Sequence, residues 1–399
     1  MSLIKVLLNF LNKGYLCERK SIKMRSFRSG KYINQGTYKS FQPETINRKW
    51  LVEDMELINL LSQADRQLGR LDMYSEYIPN IDLFISMHIL KEATQSSKIE
   101  GTKTNIEDAL MDKEDLDFEK RDDWDEVQNY ILALNSAIMR LKDLPFSSRL
   151  IRDTHKILLD GVRGKHKLPG EFRTSQNWIG GANIKDAKFI PPVHTSVQEL
   201  MGDLENFAHN EESYFPILLK TALVHYQFET IHPFLDGNGR VGRLLIPLYL
   251  VEKGILKNPM LYLSDFFERN RLLYYDNLTR VRENDDIIQW FKFFLVGIIE
   301  TAKNSIETFD KILKLQKEVE VKVQSLGSRS RNAQIVVNYL FEHPRLNAQK
   351  VKELTGLSLP SVYKLIEDLK RLKILNELSR KQRNKNYMFS AYVSLFENK

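Results

Sequence analysis

Twelve residues near the middle of the chain constrain its local fold more tightly than any other stretch: His232-Pro233-Phe234-Leu235-Asp236-Gly237-Asn238-Gly239-Arg240-Val241-Gly242-Arg243. Pro233 and the Gly237-Asn238-Gly239 run stop one helix and force a tight loop. The apolar run from Val241 to Tyr249 predicts the next helix, with Pro247 as a point of bending. A glycine-rich loop opening onto a helix N-terminus presents backbone N–H groups as an anion-binding nest. Arg240 and Arg243, three residues apart, share a helix face, and two guanidinium forks beside a nest suit a polyphosphate. Asp236 offers a hard carboxylate of the kind that holds Mg²⁺ together with phosphate oxygens. His232 is a general base suited to neutral pH. Base, metal carboxylate, nest and paired arginines together describe a site for phosphoryl or nucleotidyl transfer. Each part alone is commonplace, since Gly-Asn-Gly is usually a turn and a lone histidine before proline is usually structural.

Around this stretch the pattern is mostly α. Gly (18) and Pro (12) are sparse in 399 residues, which favours helix. Apolar spacing predicts helices from Leu51 to Gly69 (through Met55, Leu57, Ile58 and Leu61), from about Ile81 to Ile99, from Asp123 to Leu141, over 147–160 and 194–210, and from Tyr214 to His232. Residues 170–192 break the pattern. Trp178-Ile179 and Phe189-Ile190, joined by a polar loop that contains Gly180-Gly181 and closed by Pro191-Pro192, predict a β-hairpin. His225 and Glu229 stand at helical spacing before His232, but no His-Glu-x-x-His zinc pattern is present. His155, His166 and His194 suggest no shared site. The single cysteine, Cys17, excludes a disulfide framework and multi-cysteine zinc modules.

The net charge of +7 is unevenly placed. Residues 1–50 hold 11 Lys+Arg against 2 Asp+Glu, residues 51–330 hold 35 against 44, and residues 331–399 hold 13 against 6. An acidic body therefore carries two basic ends. Residues 1–20 are too short and interrupted an apolar stretch for a signal peptide or a membrane span. They read as an amphipathic helix or an over-extended start, with Met24 a further initiator, and the cytoplasm is the expected location. Residues 25–50 read as a basic extended arm, within an arm region of 1–50.

The remaining divisions follow: a helical region over 51–145, a core over 146–295, a connecting helix over 296–327 (within an amphipathic run of 291–325), and a separate unit over 328–399. That last unit predicts helices at 331–343, 347–355 and 359–373, then strands at Ile374–Leu378 and Tyr387–Ser390 around a basic turn. This is the outline of a winged helix-turn-helix. Ser361, Tyr363, Lys364 and either Asp368 or Lys370 would face a groove, and Arg380, Lys381, Arg383 and Lys385 would form the wing tip. Such units bind DNA or serve as protein-interaction modules.

The twelve-residue stretch resembles the Fic family signature, His-x-Phe-x-(Asp/Glu)-Gly-Asn-Gly-Arg-x-x-Arg, at every defined position, and the resemblance extends from about residue 80 to 295. It implies a helical bundle with a β-hairpin flap, and transfer of AMP from ATP to Ser, Thr or Tyr hydroxyls of a target protein. On that resemblance His232 would deprotonate the hydroxyl, and Asp236 would hold Mg²⁺ on the phosphates. Gly237, Asn238 and Gly239 would cradle those phosphates, with Val241 and Gly242 in the same nucleotide-binding stretch. Arg240 and Arg243 would take the β- and γ-phosphates, and Phe234 would anchor the loop. Residues 170–192 would be the flap, with Asp186, Ala187, Lys188 and Phe189 nearest the target chain. Tyr274 and Tyr275 resemble the tyrosines near adenine in some relatives, and Tyr275 is the expected contact.

Upstream, Ser96-Ser97-Lys98-Ile99-Glu100-Gly101 resembles the family's inhibitory pattern (Ser/Thr)-x-x-x-Glu-(Gly/Asn). It implies that Glu100 pairs with Arg243 and blocks productive ATP binding. The resemblance also implies self-modification and self-association in some members, and in others removal of AMP assisted by the same glutamate. A DNA-binding regulator that uses the Fic region to sense nucleotide or dock a target is the competing reading.

Overall fold

The structure is a computed structural model, and it describes residues 27–77, 81–162, 164, 166–211, 215–378 and 385–397. The start of the chain, with Cys17 and Met24, lies outside the described residues, as do Arg380, Lys381 and Arg383. The described chain is mostly helical, with two small antiparallel sheets. None of its helices is long and apolar enough to cross a membrane.

The basic arm is a strand pair, β1 (Gly30–Asn34) against β2 (Lys39–Pro43), rather than a single extended segment. It is tied down by Ser29, whose N–H and hydroxyl both donate to Asp285 at 2.7 Å. α1 spans Met55–Tyr77, beginning later than expected. The Asp54 carboxylate accepts the Leu57 N–H at 2.8 Å and fixes the start. The buried face is therefore Leu57, Leu60, Ala64, Leu68 and Leu71, while Leu51, Met55 and Ile58 of the expected stripe are exposed. α2 is Ile81–Ile99, and α3 is Arg121–Arg140. α4, Ser148–Leu158, is capped by Ser147, and α5 is Val197–His209.

The central pair is α6 (Ile217–Ile231), buried along nearly its whole length, and α7 (Asn238–Glu252), which runs through Pro247 as one helix. The loop between them is residues 232–237. α8 (Ser264–Arg269) and α9 (Arg271–Asn284) follow. α10, Ile287–Gln324, at 38 residues is about 57 Å long at 1.5 Å per residue. It is a spine rather than a bare connector. Trp290, Phe294, Ile298, Ala302, Phe309 and Ile312 are all buried in it, and the Trp290 indole donates to the Ala222 carbonyl at 2.9 Å.

Beyond α10 come α11 (Ser330–Glu342), β3 (Arg345–Asn347), α12 (Ala348–Thr355), α13 (Leu359–Arg371), β4 (Asn376–Glu377) and β5 (Asn386–Met388), with sheet order β3-β5-β4. This part packs onto α2. Arg345 donates to the Leu110 carbonyl at 3.0 Å and to Asp112 at 2.6 Å, and the His88 ring lies between Phe309 and Phe396. Ser361, Tyr363 and Lys364 are exposed on α13, but Asp368 is buried beneath Arg329 at 2.7 Å, so it faces no groove. A position between two apolar neighbours of the amphipathic stripe is drawn inward once an arginine neutralises it.

Candidate active site

His232 ends α6 in the left-handed conformation, φ 51°, which a side-chain-bearing residue adopts only when its surroundings impose it. Its N–H donates to the Phe228 carbonyl at 2.9 Å. Its carbonyl accepts from Arg173 Nε at 2.9 Å and Asn177 Nδ2 at 3.2 Å. Arg173, itself buried, also donates to the Pro192 carbonyl at 2.5 Å, while Asn177 reaches the Phe234 carbonyl at 2.8 Å. The His232 Nδ1 lies 3.3 Å from the Glu229 carbonyl, which can only accept. The neutral ring therefore carries its proton on Nδ1 and keeps a lone pair on Nε2. Burial, with Arg173 and Arg282, lowers its pKa to about 4, against the opposing pull of the Glu229 carbonyl and Glu100.

The loop is then locked from within. Asn238 Oδ1 accepts the Phe234 N–H and its Nδ2 donates to the Phe234 carbonyl, both at 2.8 Å. Phe234 is fully buried, with the His155 ring stacked on it at 3.7 Å. His155 accepts the Gly170 N–H at Nδ1 (2.8 Å), so Nε2 carries the proton and donates to the Asp236 carbonyl at 3.0 Å. Burial holds this imidazole neutral by lowering its pKa to about 4. Asn238 thus serves the loop's geometry with its side chain and can meet a ligand only through its N–H. Gly237, at φ 74°, turns the chain into α7, whose first N–H groups face the cleft.

Asp236 is 44% exposed, with Oδ1 accepting the Gly237 N–H at 2.6 Å and lying 3.7 Å from Arg240. One open carboxylate beside a phosphate nest is the donor set Mg²⁺ uses when phosphates and water supply the remaining ligands. Among the described residues no group of three or more His, Cys, Asp or Glu side chains could hold a metal by itself. Arg240 is buried and paired with Glu126 of α3 at 3.1 Å.

Arg243 is the most enclosed charge of the site. Its Nε donates to Ser96 Oγ and its Nη2 to the Ser96 carbonyl, both at 2.9 Å, and Nη2 also reaches Glu100 Oε1 at 2.7 Å. Burial alone would raise the Glu100 pKa, but the Arg243 guanidinium outweighs it and holds the carboxyl below its ordinary value. Glu100 lies directly over the nest, since a Cβ on Gly239 would come within 2.3 Å of Oε1. α2 is held in this position by Glu92, about two turns earlier, which accepts from Tyr130 at 2.9 Å and Ser264 Oγ at 2.5 Å.

Glu229, one turn before His232, is buried, and burial raises its pKa to about 7, with Glu100 adding to the rise and Arg243 and Arg282 opposing it. Tyr275 is 40% exposed, 5.2 Å from the Tyr274 ring. Burial first, then the Glu100 carboxylate, raises its pKa. Tyr274 is buried, with its hydroxyl 2.9 Å from His225 Nε2; His225 Nδ1 meets the Gly242 carbonyl at the same distance, so this histidine is a core residue with both nitrogens engaged.

The segment over 170–192 pairs the two expected runs, but as a minimal hairpin. It contains one bridging pair, Ile179 with Phe189, closed at 2.8 and 3.2 Å, around a 3₁₀ turn at Ile184–Asp186. The left-handed Gly180 and Gly181, and Pro191-Pro192 with no N–H to give, end the ladder on either side. Asp186 accepts from Asn183 within its own turn at 2.6 Å, and Ala187 and Lys188 run past Ile179. Phe189 lies under the Arg282 guanidinium at 3.8 Å, and the Ile190 carbonyl accepts the Phe41 N–H of β2 at 2.9 Å. Sequence reading missed His155, Arg173, Asn177, Glu126 and Glu229. Only Glu229, at helical spacing from His232, left a local signal.

Comparison with known proteins agrees with this geometry. Residues 58–139 match the model described as Fic/DOC family N-terminal, and residues 145–250 match the model described as Fic/DOC family. A "probable protein adenylyltransferase" of Aquifex aeolicus is 26% identical over 253 residues, covering 61% of this chain and 73% of that protein. The "protein adenylyltransferase Fic" of Aedes aegypti is 33% identical over 155 residues, covering 38% of this chain and only 28% of its own length. In fold, the chain resembles the crystal structure of a Fic family protein from Desulfovibrio desulfuricans G20, with a TM-score of 0.55 at 18% identity over 86% of this chain and 98% of the other. It also resembles a Fic-domain-containing signaling protein from Bacteroides thetaiotaomicron, with a TM-score of 0.51 at 20% identity over 62% of this chain and 96% of the other. Through residues 58–250, the chain belongs to the Fic/DOC family.

Proposed function

We propose that the chain is an autoinhibited protein adenylyltransferase, moving AMP from ATP to a hydroxyl of a target protein and releasing pyrophosphate. The observation that carries this reading is the convergence of an Nε2 lone pair on His232, the exposed carboxylate of Asp236 and the N-terminus of α7 with Arg243 around one cleft. In this role His232 takes the hydroxyl proton through Nε2. Gly237, Gly239 and the Asn238 N–H bind phosphate oxygens, and Arg240 and Arg243 take the outer phosphates once Arg243 is free. Mg²⁺, when bound at Asp236, screens the phosphate charge and orients the triphosphate. Tyr275 borders the adenine, and Lys188 and Phe189 border the target chain. Ser96 and Glu100 hold the resting state closed by occupying Arg243. Relatives named protein adenylyltransferase support the activity. The target, self-modification, self-association and AMP removal by the same site belong to this proposal without a separate observation to favour them.

The test is incubation with α-labelled ATP and Mg²⁺ in lysate, in the Glu100→Gly background. Label that disappears when His232→Ala is added supports the reading; label that persists without His232 contradicts it.

The DNA-binding reading of residues 328–399 draws on the exposed Tyr363 and Lys364 of α13. Much of the neighbouring basic charge is already matched: Lys370 with Glu367 and Glu377, Lys385 with Glu377, and Arg371 with Asp368. That pairing weakens the electrostatic attraction on which phosphate contacts depend. Salt-sensitive retardation of random duplex DNA by the full chain would restore this reading.

A further inference from the structure

We propose that Glu229 is a positioning residue for His232, its carboxylate being the counter-charge that receives the imidazolium formed when His232 takes the target's proton. The inference rests on the transfer reading above and deepens it. Glu229 lies on α6 one turn before the histidine, and Glu229 Oε2 is 4.0 Å from His232 Nδ1, the protonated face of the ring. The contact points away from Nε2, so it leaves the base's lone pair free for the target hydroxyl. The other oxygen, Oε1, is buried and has no hydrogen-bond partner among the described residues. It lies flat on α7, where a Cβ at Gly242 would come within 2.1 Å. A buried carboxylate oxygen without a donor is costly, and the other oxygen of the same carboxylate faces the one group of the site that becomes cationic in the reaction.

The charges facing Glu229 explain why the resting state does not exploit this. Glu100 approaches from the end of α2, Arg243 from α7, Arg282 from α9, and His232 from its own helix. Two carboxylates share one guanidinium, and Glu100 holds it at 2.7 Å. With Glu100 in place, the like charge and the burial both disfavour ionised Glu229. In the resting state the carboxylate charge that reaches His232 is that of Glu100, which also holds Arg243. When Glu100 withdraws, Glu229 loses the like charge and ionises more readily. Its negative charge 4.0 Å from the ring then raises the basicity of Nε2.

The transfer balances without a proton moving to Glu229. The target O–H bond breaks and its proton goes to Nε2. The oxygen bonds to the α-phosphorus, and the bond to pyrophosphate breaks with its electron pair leaving on pyrophosphate. Glu100 therefore occupies Arg243 and disfavours ionised Glu229, and its withdrawal leaves the Glu229 carboxylate, 4.0 Å from Nδ1, to take over the counter-charge that Glu100 supplies in the resting state.

The test uses the full chain carrying Glu100→Gly as parent, with Glu229→Gln and Glu229→Asp added separately, and measures AMP transfer from about pH 5.5 to 9. Glu229→Gln is expected to lower kcat by about 10- to 100-fold with KM for ATP unchanged, and to move the acidic limb of the profile to lower pH. Glu229→Asp is expected to fall between parent and Gln. Unchanged kcat and limb in the Gln variant would overturn the proposal and leave Glu229 a packing residue. Should the Gln variant fail to fold, the Asp variant decides: a shifted limb supports the proposal and an unshifted one overturns it. A parent that transfers no label overturns the transfer reading, and this inference with it.

Discussion

Residues 232–243 are fastened from several elements at once, by Asn238 to Phe234, by His155 stacked above, and by Arg173 and Asn177 from beyond the helix. Residues 180–188 are mostly exposed and hang on one bridging pair at their neck. The flap is nonetheless welded to the loop at its root, where Arg173 and Asn177 belong to one and bind the other. The difference divides the labour of the site. Chemistry needs groups held to a fraction of an ångström, and these are set by buried, fully used hydrogen bonds. On the proposed function, an edge that docks a target chain would gain from backbone left unpaired.

Removing a fastening of the loop breaks this contrast most directly. Asn238→Ala leaves the buried N–H of Phe234 without a partner and its carbonyl with Asn177 alone, and is expected to cost about 1–3 kcal/mol in denaturant unfolding, along with activity. A cost near zero would show that the loop is not held as described.

Acid acts next. His155 and His225 have folded pKa values of about 4 and about 3, against 6.5 for a free histidine, so the unfolded chain binds more protons as pH falls below 6.5. Stability is then fully present above pH 6.5 and lost on the way down, by about 2 kcal/mol for each histidine between pH 6.5 and 5. Glu229, raised to about 7, opposes this with one carboxyl, since the folded state keeps its proton where the unfolded state has lost it. Thermal melts across pH should show the net fall, and His155→Gln should flatten it.

The flap gives the smallest effect on stability and a selective one on function. At Gly181 (φ 76°) a Cβ would come within 2.3 Å of the Asp186 carbonyl. Because the flap tip is exposed and hangs on one bridging pair, Gly181→Ala is expected to rearrange it locally and shift unfolding by about 1 kcal/mol, while raising KM for a protein target several-fold and leaving KM for ATP unchanged. A change in the ATP constant would show that the flap and the loop are not separable.

This contrast also explains what was legible beforehand. The loop could be read because its working groups lie within twelve consecutive residues, where spacing alone fixes which of them meet. Glu100 was legible because a short pattern carries it, although only packing shows that its carboxylate covers Gly239. His155, Arg173 and Glu126 gave no local sign, because each reaches the loop from an element distant in sequence and is significant only through the carbonyl or guanidinium it meets. The hairpin's pairing of Ile179 with Phe189 was legible, but not its brevity, which follows from left-handed glycines and prolines that cannot extend a ladder. The stripe of α1 was misplaced because Asp54, rather than the first apolar residue, sets where the helix begins.

The central claim is that Glu100, laid over the phosphate nest and bonded to Arg243, holds an otherwise complete site closed. The rate of AMP transfer from ATP, compared between wild type and Glu100→Gly at equal concentration and Mg²⁺, tests it most directly. Release of one charge-assisted contact of about 1.5–3 kcal/mol predicts a rise on the order of 10- to 100-fold in the variant. Equal rates in the two proteins would contradict the account.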